Sequence, residues 1–232
     1  MIERPKLIIV ETGVANLASV RALAERLDLE PEVSGDPELV ARAPVVILPG
    51  VGAFGPAMEK LAGAKLVRAM RARVSAGLPT AGICLGMQLF FEESEESPGI
   101  RGLGILKGKV TRLPTALPLP QLGWNRIEPE KSARLLERGW VYFANSYGVD
   151  AANLAALNYA EAGEGTTSQH QSRFEFFSAT TTYGAPFISA IEGWSENKPS
   201  LILCQFHPEL SGRFGTELFA RWLELNSIRR EA

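Results

Sequence analysis

Two short segments of the chain contain residue types that can carry out nucleophilic chemistry. Residues 82–86 read Gly-Ile-Cys-Leu-Gly with Cys84 at the centre, and residues 205–209 read Gln-Phe-His-Pro-Glu. A thiol between two glycines resembles a nucleophile elbow, in which glycine permits a sharp turn from a strand into a helix. We therefore expect Cys84 to be exposed at a helix N-terminus, where backbone N–H groups favour a thiolate.

The second segment supplies a base and a carboxylate that can orient it. His207 precedes Pro208, which favours an extended backbone, and residues two apart on an extended chain point to the same side. Glu209 is therefore expected beside His207. A cysteine, a histidine and a carboxylate together are the constellation of thiol acyl transfer.

Each of these residues also has an ordinary structural explanation. Cys204 has apolar neighbours and no flanking glycines, so we interpret it as a small buried hydrophobe. A short motif around Cys84 can arise by chance, and the segment at His207 can equally be a loop turn. The other histidine, His170, lies in the polar stretch 165–172, which is typical of a solvated loop. His207 is therefore the preferred partner for Cys84.

Composition narrows the class of protein. The 232 residues are 46% hydrophobic, enough for one large domain, which we expect to span residues 1–232. The net charge of −2 argues against nucleic acid and anionic membranes as partners. No apolar run approaches the ~18 residues of a membrane span. The apolar stretch near the N-terminus is too short for a signal peptide. Two cysteines and two histidines show no disulfide framework or zinc spacing. We expect no metal or other cofactor, and a cytoplasmic location.

The distribution of apolar residues predicts an α/β fold. In the first half, apolar strands alternate with helices, which predicts a mostly parallel central sheet with helices on both faces. The predicted strands are 7–10, 45–48 and 79–83, and the predicted helices are 15–27, 57–75 with a break near Gly63, and 85–93. A turn is expected at 28–31. The acidic patch Glu92, Glu93, Glu95 and Glu96 is interpreted as a solvated helix end.

The pattern changes after residue 109, where shorter strands are separated by proline- and glycine-containing turns. This region predicts an antiparallel β extension, joined through the proline-rich loop 114–120. Its predicted strands are 109–113, 124–128, 141–144, 155–159, 174–180 and 187–191. A strand at 201–206 and a helix at 216–225 then return to the α/β pattern, so the chain leaves the sheet and rejoins it.

The motifs resemble those of a known enzyme family. The elbow at Cys84, with His-Pro-Glu at 207–209, resembles the class I, triad-type glutamine amidotransferases. Three further segments are similar to the glutaminase subunit of imidazole glycerol phosphate synthase. They are Pro-Gly-Val-Gly-Ala-Phe-Gly at 49–55, Pro-Gln-Leu-Gly-Trp-Asn at 120–125 and Tyr-Phe-Ala-Asn-Ser-Tyr at 142–147. The resemblance runs from about residue 6 to about residue 225.

This resemblance implies a fold, an activity and a partner. The fold would be flavodoxin-like. The activity would be hydrolysis of glutamine to glutamate and ammonia. The partner would be a cyclase subunit with a (β/α)8 barrel, bound as a heterodimer. The cyclase would use the ammonia to form imidazole glycerol phosphate and an aminoimidazole carboxamide ribotide in histidine biosynthesis.

The proposed chemistry also requires backbone donors for the oxyanion. The N–H of Leu85, directly after Cys84, is one candidate. The second lies in the glycine-containing loop, where the resemblance favours Val51 or Gly52. A plain strand-to-helix turn is the alternative explanation of that loop.

The resemblance further assigns the glutamine α-amino and α-carboxylate groups to a small set of residues. These are Gly52, Gln88, and the backbone of Ser146 and Tyr147. On composition alone, Gln88 would be an ordinary helix residue.

The sequence departs from the family pattern at four places. Asn145 stands where a histidine is common, and Leu210 stands where a lysine is common. Residues 11–17 read Glu-Thr-Gly-Val-Ala-Asn-Leu, and residues 161–173 form a polar insertion. Three alternatives therefore stay open: another amidotransferase subunit, a stand-alone thiol hydrolase, and a non-catalytic binding subunit.

Overall fold

The computed structural model describes residues 4–13, 16–152 and 174–228. The predicted strand 155–159, His170 and the polar insertion at 161–173 lie outside these residues. The strands are β1 Lys6–Val10, β2 Glu30–Ser34, β3 Val45–Leu48, β4 Thr80–Ile83, β5 Glu93–Ser94, β6 Lys109–Arg112, β7 Gln121–Pro129, β8 Gly139–Asn145, β9 Tyr147–Asp150, β10 Glu175–Tyr183, β11 Ala185–Ser195 and β12 Lys198–Cys204. The helices are α1 Leu17–Arg26, α2 Pro37–Arg42, α3 Phe54–Gly63, α4 Leu66–Ser75, α5 Leu85–Gln88 and α6 Gly212–Leu225.

Nine of the described strands form a continuous path through the sheet, in the order β2-β1-β3-β4-β12-β11-β10-β7-β8. The other three branch from it, because β9 pairs with β11, β6 with β9, and β5 with β6. The five strands from β2 to β12 are parallel to one another, and the pairings from β12 to β8 are antiparallel. The order of the parallel part is the one found in flavodoxin-like folds. The predicted parallel sheet with an antiparallel extension is confirmed.

Helices cover both faces of the parallel strands, which explains why those strands are apolar on both sides. In β1, Ile9 packs in the same core cluster as Leu218 and Trp222 of α6. Its neighbour Ile8 packs on the opposite face with Met70 of α4. Successive residues of a strand point to opposite faces, so a strand covered twice has no polar side.

The predicted long helix at 57–75 is divided into α3 and α4. The break falls directly after Gly63, close to its predicted place. Lys65 has a left-handed backbone with φ of 59° and immediately precedes α4. The chain changes direction here, so residues 54–75 form two short helices instead of one.

The helix after Cys84 is shorter than predicted. It ends at Gln88 rather than at Glu93. The carbonyls of Leu89 and Phe90 accept hydrogen bonds from Leu103 N–H at 2.7 Å and from Ile105 N–H at 2.9 Å. A distant segment therefore satisfies the backbone groups that a longer helix would have used.

The acidic patch is not a helix end, because α5 ends at Gln88, although Glu93 and Glu95 are exposed as expected. Each of three carboxylates accepts a hydrogen bond from a backbone N–H elsewhere in the chain. Glu92 binds Gly108 at 3.0 Å, Glu95 binds Arg112 at 3.1 Å, and Glu96 binds Phe54 at 2.8 Å. Glu93 belongs to β5 and pairs with Lys109. The patch is a set of fixed loop connections.

Sequence reasoning also missed elements in the first half of the sheet. A turn was expected at 28–31, but it lies at Leu27 and Asp28, and β2 begins at Glu30. This edge strand reads Glu-Pro-Glu-Val-Ser, so it shows no apolar run. Its own sequence does not predict a strand, and it is one because its backbone pairs with β1. Among the described residues, no helix is both long and apolar enough to cross a bilayer.

Candidate active site

Cys84 sits at a strained turn between β4 and α5, where it is buried, with 7% of its surface exposed, rather than exposed as expected. Its φ of 54° and ψ of −111° are unusual for a residue with a side chain. Its N–H donates to Cys204 O at 2.7 Å, which continues the pairing of β4 with β12. A Cβ on Gly86 would lie 1.9 Å from Leu48 O, so only glycine lets α5 approach the end of β3. The pairing with β12 and the close approach to β3 thus fix the position of Cys84 at the end of β4.

His207 and Glu209 are brought together by a turn rather than by an extended chain. His207 itself is extended, but Pro208–Leu210 forms a 3-10 helix. The expected extended geometry is therefore wrong, although the two side chains do meet. His207 Nδ1 lies 2.8 Å from Glu209 Oε1, and both side chains are buried.

The backbone of His207 is held by β8 and by Ser211. His207 N–H donates to Tyr142 O at 2.8 Å. The Ser211 hydroxyl donates to His207 O at 2.6 Å and accepts from Tyr142 N–H at 3.0 Å. These contacts fix the imidazole opposite the elbow.

The electrostatics of the site favour a protonated histidine. Burial by itself lowers the pKa of His207, but hydrogen bonds and charge interactions with Cys84 and Glu209 outweigh it. Together they raise the pKa from 6.5 to about 10. An imidazolium is the state that pairs with a thiolate. In contrast, burial and then the charge of Glu209 raise the pKa of Cys204, which keeps that thiol neutral.

A cavity of about 340 Å³ opens in front of Cys84 and His207. Every residue proposed from the sequence as an oxyanion donor or a glutamine contact lies on its wall. Those residues are Val51, Gly52, Leu85, Gln88, Ser146 and Tyr147. Glu209 lies behind His207. The wall also includes residues that were not predicted to belong to the site, namely Glu96, Pro120, Ala144 and Asn145.

The Leu85 N–H does not point into an empty oxyanion site. It donates to Gly50 O at 3.3 Å. A Cβ on Gly50 would lie 2.7 Å from both Gly86 N and Leu85 Cβ, so this approach needs a glycine. Gly52, two residues on, has a φ of 99°, which residues with a side chain rarely adopt. The carbonyl of Gly50 therefore already binds the Leu85 N–H, one of the proposed oxyanion donors.

Comparison with known proteins gives the family. Residues 9–224 match the class-I glutamine amidotransferase family. An imidazole glycerol phosphate synthase subunit HisH from Symbiobacterium thermophilum is 40% identical, with 94% of this chain and 92% of the relative covered. The HisH subunits of Lactococcus lactis subsp. lactis and Bacillus subtilis are each 36% identical. Those matches cover 94% of this chain in both cases, and 98% and 95% of the relatives.

The chain belongs to the class-I glutamine amidotransferases, among the HisH subunits of imidazole glycerol phosphate synthase. This confirms the predicted activity, hydrolysis of glutamine by an enzyme subunit of histidine biosynthesis.

Solved structures give the same fold at low sequence identity. A crystal structure of a glutamine amidotransferase superimposes with a TM-score of 0.64 at 19% identity, covering 95% of this chain and 98% of the other. The PurLQS structure from Thermotoga maritima gives 0.63 at 16% identity, covering 96% and 99%. At such identities the likeness concerns the amidotransferase fold alone.

Two polar residues of this amidotransferase site were missed by sequence reasoning. Glu96 was assigned to the solvated patch, but it lines the cavity. Gln205 is fully buried and contacts both Gln88 and Cys84. The signal for Gln205 was available, because it is the one amide in the apolar run 201–206 and lies two residues before His207.

Proposed function

We propose that Cys84, His207 and Glu209 form the catalytic triad that hydrolyses glutamine. The observation that carries this is the buried 2.8 Å contact between His207 Nδ1 and Glu209 Oε1, with His207 and Cys84 on the same cavity wall. Cys84 is the nucleophile, His207 is the general acid and base, and Glu209 orients and stabilises the imidazolium.

The reaction proceeds in two half-reactions. The Cys84 thiolate adds to the δ-carbon of glutamine, and the carbonyl oxygen becomes an oxyanion. The imidazolium of His207 protonates the amide nitrogen, the C–N bond breaks, and ammonia leaves a γ-glutamyl thioester. His207 then takes a proton from water, whose oxygen attacks the thioester carbon. The C–S bond breaks and releases glutamate and the thiolate.

The oxyanion would be bound by N–H groups of the elbow and of the loop 49–52. In the observed arrangement Gly50 O accepts from Leu85 N–H, so one donor is occupied. Rotation of the Gly50–Val51 peptide would free Leu85 N–H and turn Val51 N–H toward the cavity. This rotation changes ψ of Gly50 and φ of Val51, and Gly50 has the backbone freedom for it; the N–H of Gly52 is the alternative donor.

The amino-acid end of glutamine would be bound by Gln88, Glu96 and the segment at Ser146. Both N–H bonds of the Gln88 amide are directed to Tyr147 O and Gln205 Oε1, each at 3.0 Å. Its carbonyl oxygen therefore serves as the acceptor for an α-ammonium group. Glu96 adds a negative charge at the same wall, with one oxygen already fixed by Phe54 N–H.

The α-carboxylate would be bound next to the α-ammonium group, by the segment Ser146–Tyr147, whose Tyr147 O accepts from Gln88. Ser146 O accepts from Leu113 N–H at 3.0 Å, and Tyr147 O accepts from Gln88 and Asn145. The carbonyls of this segment are thus engaged. Its donors are backbone N–H groups and the Ser146 hydroxyl, which suit a carboxylate.

The ammonia would pass to a cyclase with a (β/α)8 barrel, bound as a heterodimer in the cytoplasm. One exposed face of the β7–β8 hairpin supports a docking surface. It carries Leu122, Trp124 and Trp140, which are 68%, 54% and 59% exposed. Leu122 pairs with Ala144, which lines the cavity. An apolar aromatic face beside the cavity is typical of a protein interface.

A glutamine analogue with an electrophilic group at the δ-position tests the assignment. It should modify Cys84 and leave Cys204 unmodified, because Cys204 is fully buried and its thiol is kept neutral. Peptide mass spectrometry identifies the modified residue. Modification at Cys204, or glutamine turnover by Cys84→Ser, would contradict the proposal.

A further inference from the structure

Gln205 is a buried amide in direct contact with the nucleophile. It follows β12, and none of its surface is exposed. Its Nε2 lies 3.7 Å from Cys84 Sγ, within hydrogen-bond range for sulfur. Its Oε1 accepts from Gln88 Nε2 at 3.0 Å, and its backbone N–H donates to Ser189 O at 2.9 Å. It does not line the cavity, so it faces the sulfur from behind.

Hydrogen-bond chemistry fixes which end of the Gln205 amide meets the sulfur. A backbone carbonyl only accepts, so Gln88 must turn its NH₂ group toward Tyr147 O, where the distance is 3.0 Å. The second N–H of that NH₂ group then points at Gln205 and requires an oxygen there. The remaining NH₂ group of Gln205 is therefore directed at Cys84.

A second contact strengthens this orientation. Asn145 Nδ2 also donates to Tyr147 O, at 3.0 Å. Both lone pairs of that carbonyl are thus used, which anchors the chain of amides at β9. The order of donation runs from Gln88 to Tyr147, from Gln88 to Gln205, and from Gln205 to the sulfur.

The sulfur of Cys84 has contacts that favour different protonation states. Ala144 O, 3.9 Å away on β8, can only accept and so favours the thiol. Gln205 N–H can only donate and so favours the thiolate. Among charged groups, His207 faces the sulfur, Glu209 acts through His207, and Glu96 lies on the same cavity wall. Unlike His207, the amide keeps its donor throughout the reaction.

We propose that Gln205 is a positioning residue that donates a hydrogen bond to the Cys84 thiolate, with its orientation set from β9 through Gln88. This inference rests on the proposed role of Cys84 as the nucleophile. The donor stabilises the sulfur anion before attack on glutamine. It does so again when the thioester C–S bond breaks and the electron pair returns to sulfur. Because Gln205 also accepts from Gln88, which we assign to the α-ammonium group, its loss acts on both kcat and KM, whereas alkylation of Cys84 without glutamine reports on the sulfur contact alone.

The test uses Gln205→Met, which has a similar shape but no N–H donor. The control is Ser189→Ala, because Ser189 is an equally buried neighbour whose hydroxyl has no hydrogen-bond partner among the described residues. The rate at which iodoacetamide alkylates Cys84 is measured against pH without glutamine, and the Cys84 peptide is quantified by mass spectrometry. Turnover is measured separately in the complex with the cyclase.

The pH midpoint of alkylation should rise by about one unit in Gln205→Met, a roughly tenfold loss of reactive thiolate at lower pH. kcat should fall about tenfold, and Ser189→Ala should match wild type in both the midpoint and kcat. A folded Gln205→Met with the wild-type midpoint would overturn the proposal. If that variant does not fold, Gln205→Asn replaces it, since its shorter amide cannot reach the sulfur. A wild-type midpoint there would have the same meaning.

Failure of the triad assignment would look different. It would appear as glutamine turnover by Cys84→Ser, whereas the alkylation midpoint reports on the contact between Gln205 and the sulfur without any turnover.

Discussion

The backbone N–H of Leu85 donates to the carbonyl oxygen of Gly50 across 3.3 Å. A group that we assign to the oxyanion hole is therefore satisfied within the protein before any substrate binds. In the proposed mechanism the active and inactive states differ by the orientation of the Gly50–Val51 peptide, in a loop that contains Gly50 and Gly52.

The first prediction is that the isolated chain hydrolyses glutamine slowly and that the cyclase with its ligand accelerates it. One missing oxyanion donor costs about 10²–10³-fold in rate, so activation of that size is expected. Glutamate formation is measured for the purified chain with and without the cyclase and its nucleotide ligand. Equal rates in both conditions would refute the loop as a control element and favour a stand-alone hydrolase.

The second prediction tests the loop itself. Gly52→Ala places a side chain at a φ of 99° and should lower the activated rate by about tenfold or more. Gly63→Ala is the matched control, because a Cβ there meets no atom within 4 Å. A Gly52→Ala variant with a normal activated rate would show that the left-handed backbone is not needed.

The third prediction concerns the unequal roles of His207 and Glu209. His207→Asn removes the acid and base and should lower kcat/KM for glutamine by about 10²–10⁴-fold. Glu209→Gln keeps an oxygen for Nδ1 and loses only the charge, so a smaller loss is expected. His170→Asn serves as the control and should retain wild-type activity. A comparable loss at His170 would show that the wrong histidine was assigned.

The fourth prediction is a pH dependence of stability. The pKa of His207 is raised in the folded state above its ordinary value of 6.5, to about 10. Protonation therefore stabilises the folded state fully below the ordinary value, and the stabilisation is lost as the pH rises toward 10. The free energy of unfolding is compared for wild type and His207→Gln by urea titration. The advantage of wild type should be larger at about pH 6 than at about pH 10. The stabilisation is complete below the ordinary pKa value and is lost between that value and the raised one. An advantage that grows with pH would contradict the assigned direction.

The fifth prediction concerns the exposed face of the β7–β8 hairpin. Trp124→Ala should weaken binding of the cyclase by about 2 kcal/mol, or roughly 30-fold, as expected for a buried aromatic anchor. Leu39→Ala is the control, because Leu39 is 43% exposed but belongs to α2, away from the hairpin. Binding is measured by titration calorimetry, and unchanged affinity for Trp124→Ala would exclude this face as the interface.

The sequence by itself was sufficient for the features that arise from local chemistry. The apolar strand Val45–Leu48 and the sharp turn at the Gly-x-Cys-x-Gly motif could be predicted from a few neighbouring residues. A strand buried on both faces must be apolar throughout, and a sharp elbow requires small neighbours. The parallel sheet and its antiparallel extension were predictable on these grounds, whereas the family was predicted from the resemblance of the motifs. The prediction that residues 1–232 form a single domain stays a prediction.

The tertiary structure decided what depends on contacts between distant segments. Glu96 was indistinguishable from a solvated carboxylate until Phe54 N–H was placed beside it, 42 positions away. Gln205 contacts Gln88 across 117 positions, and the loop at Gly50 is defined by the elbow it touches. A polar side chain has the same local pattern whether it is solvated or buried. Only the fold supplies the partner that determines which way its donors and acceptors point.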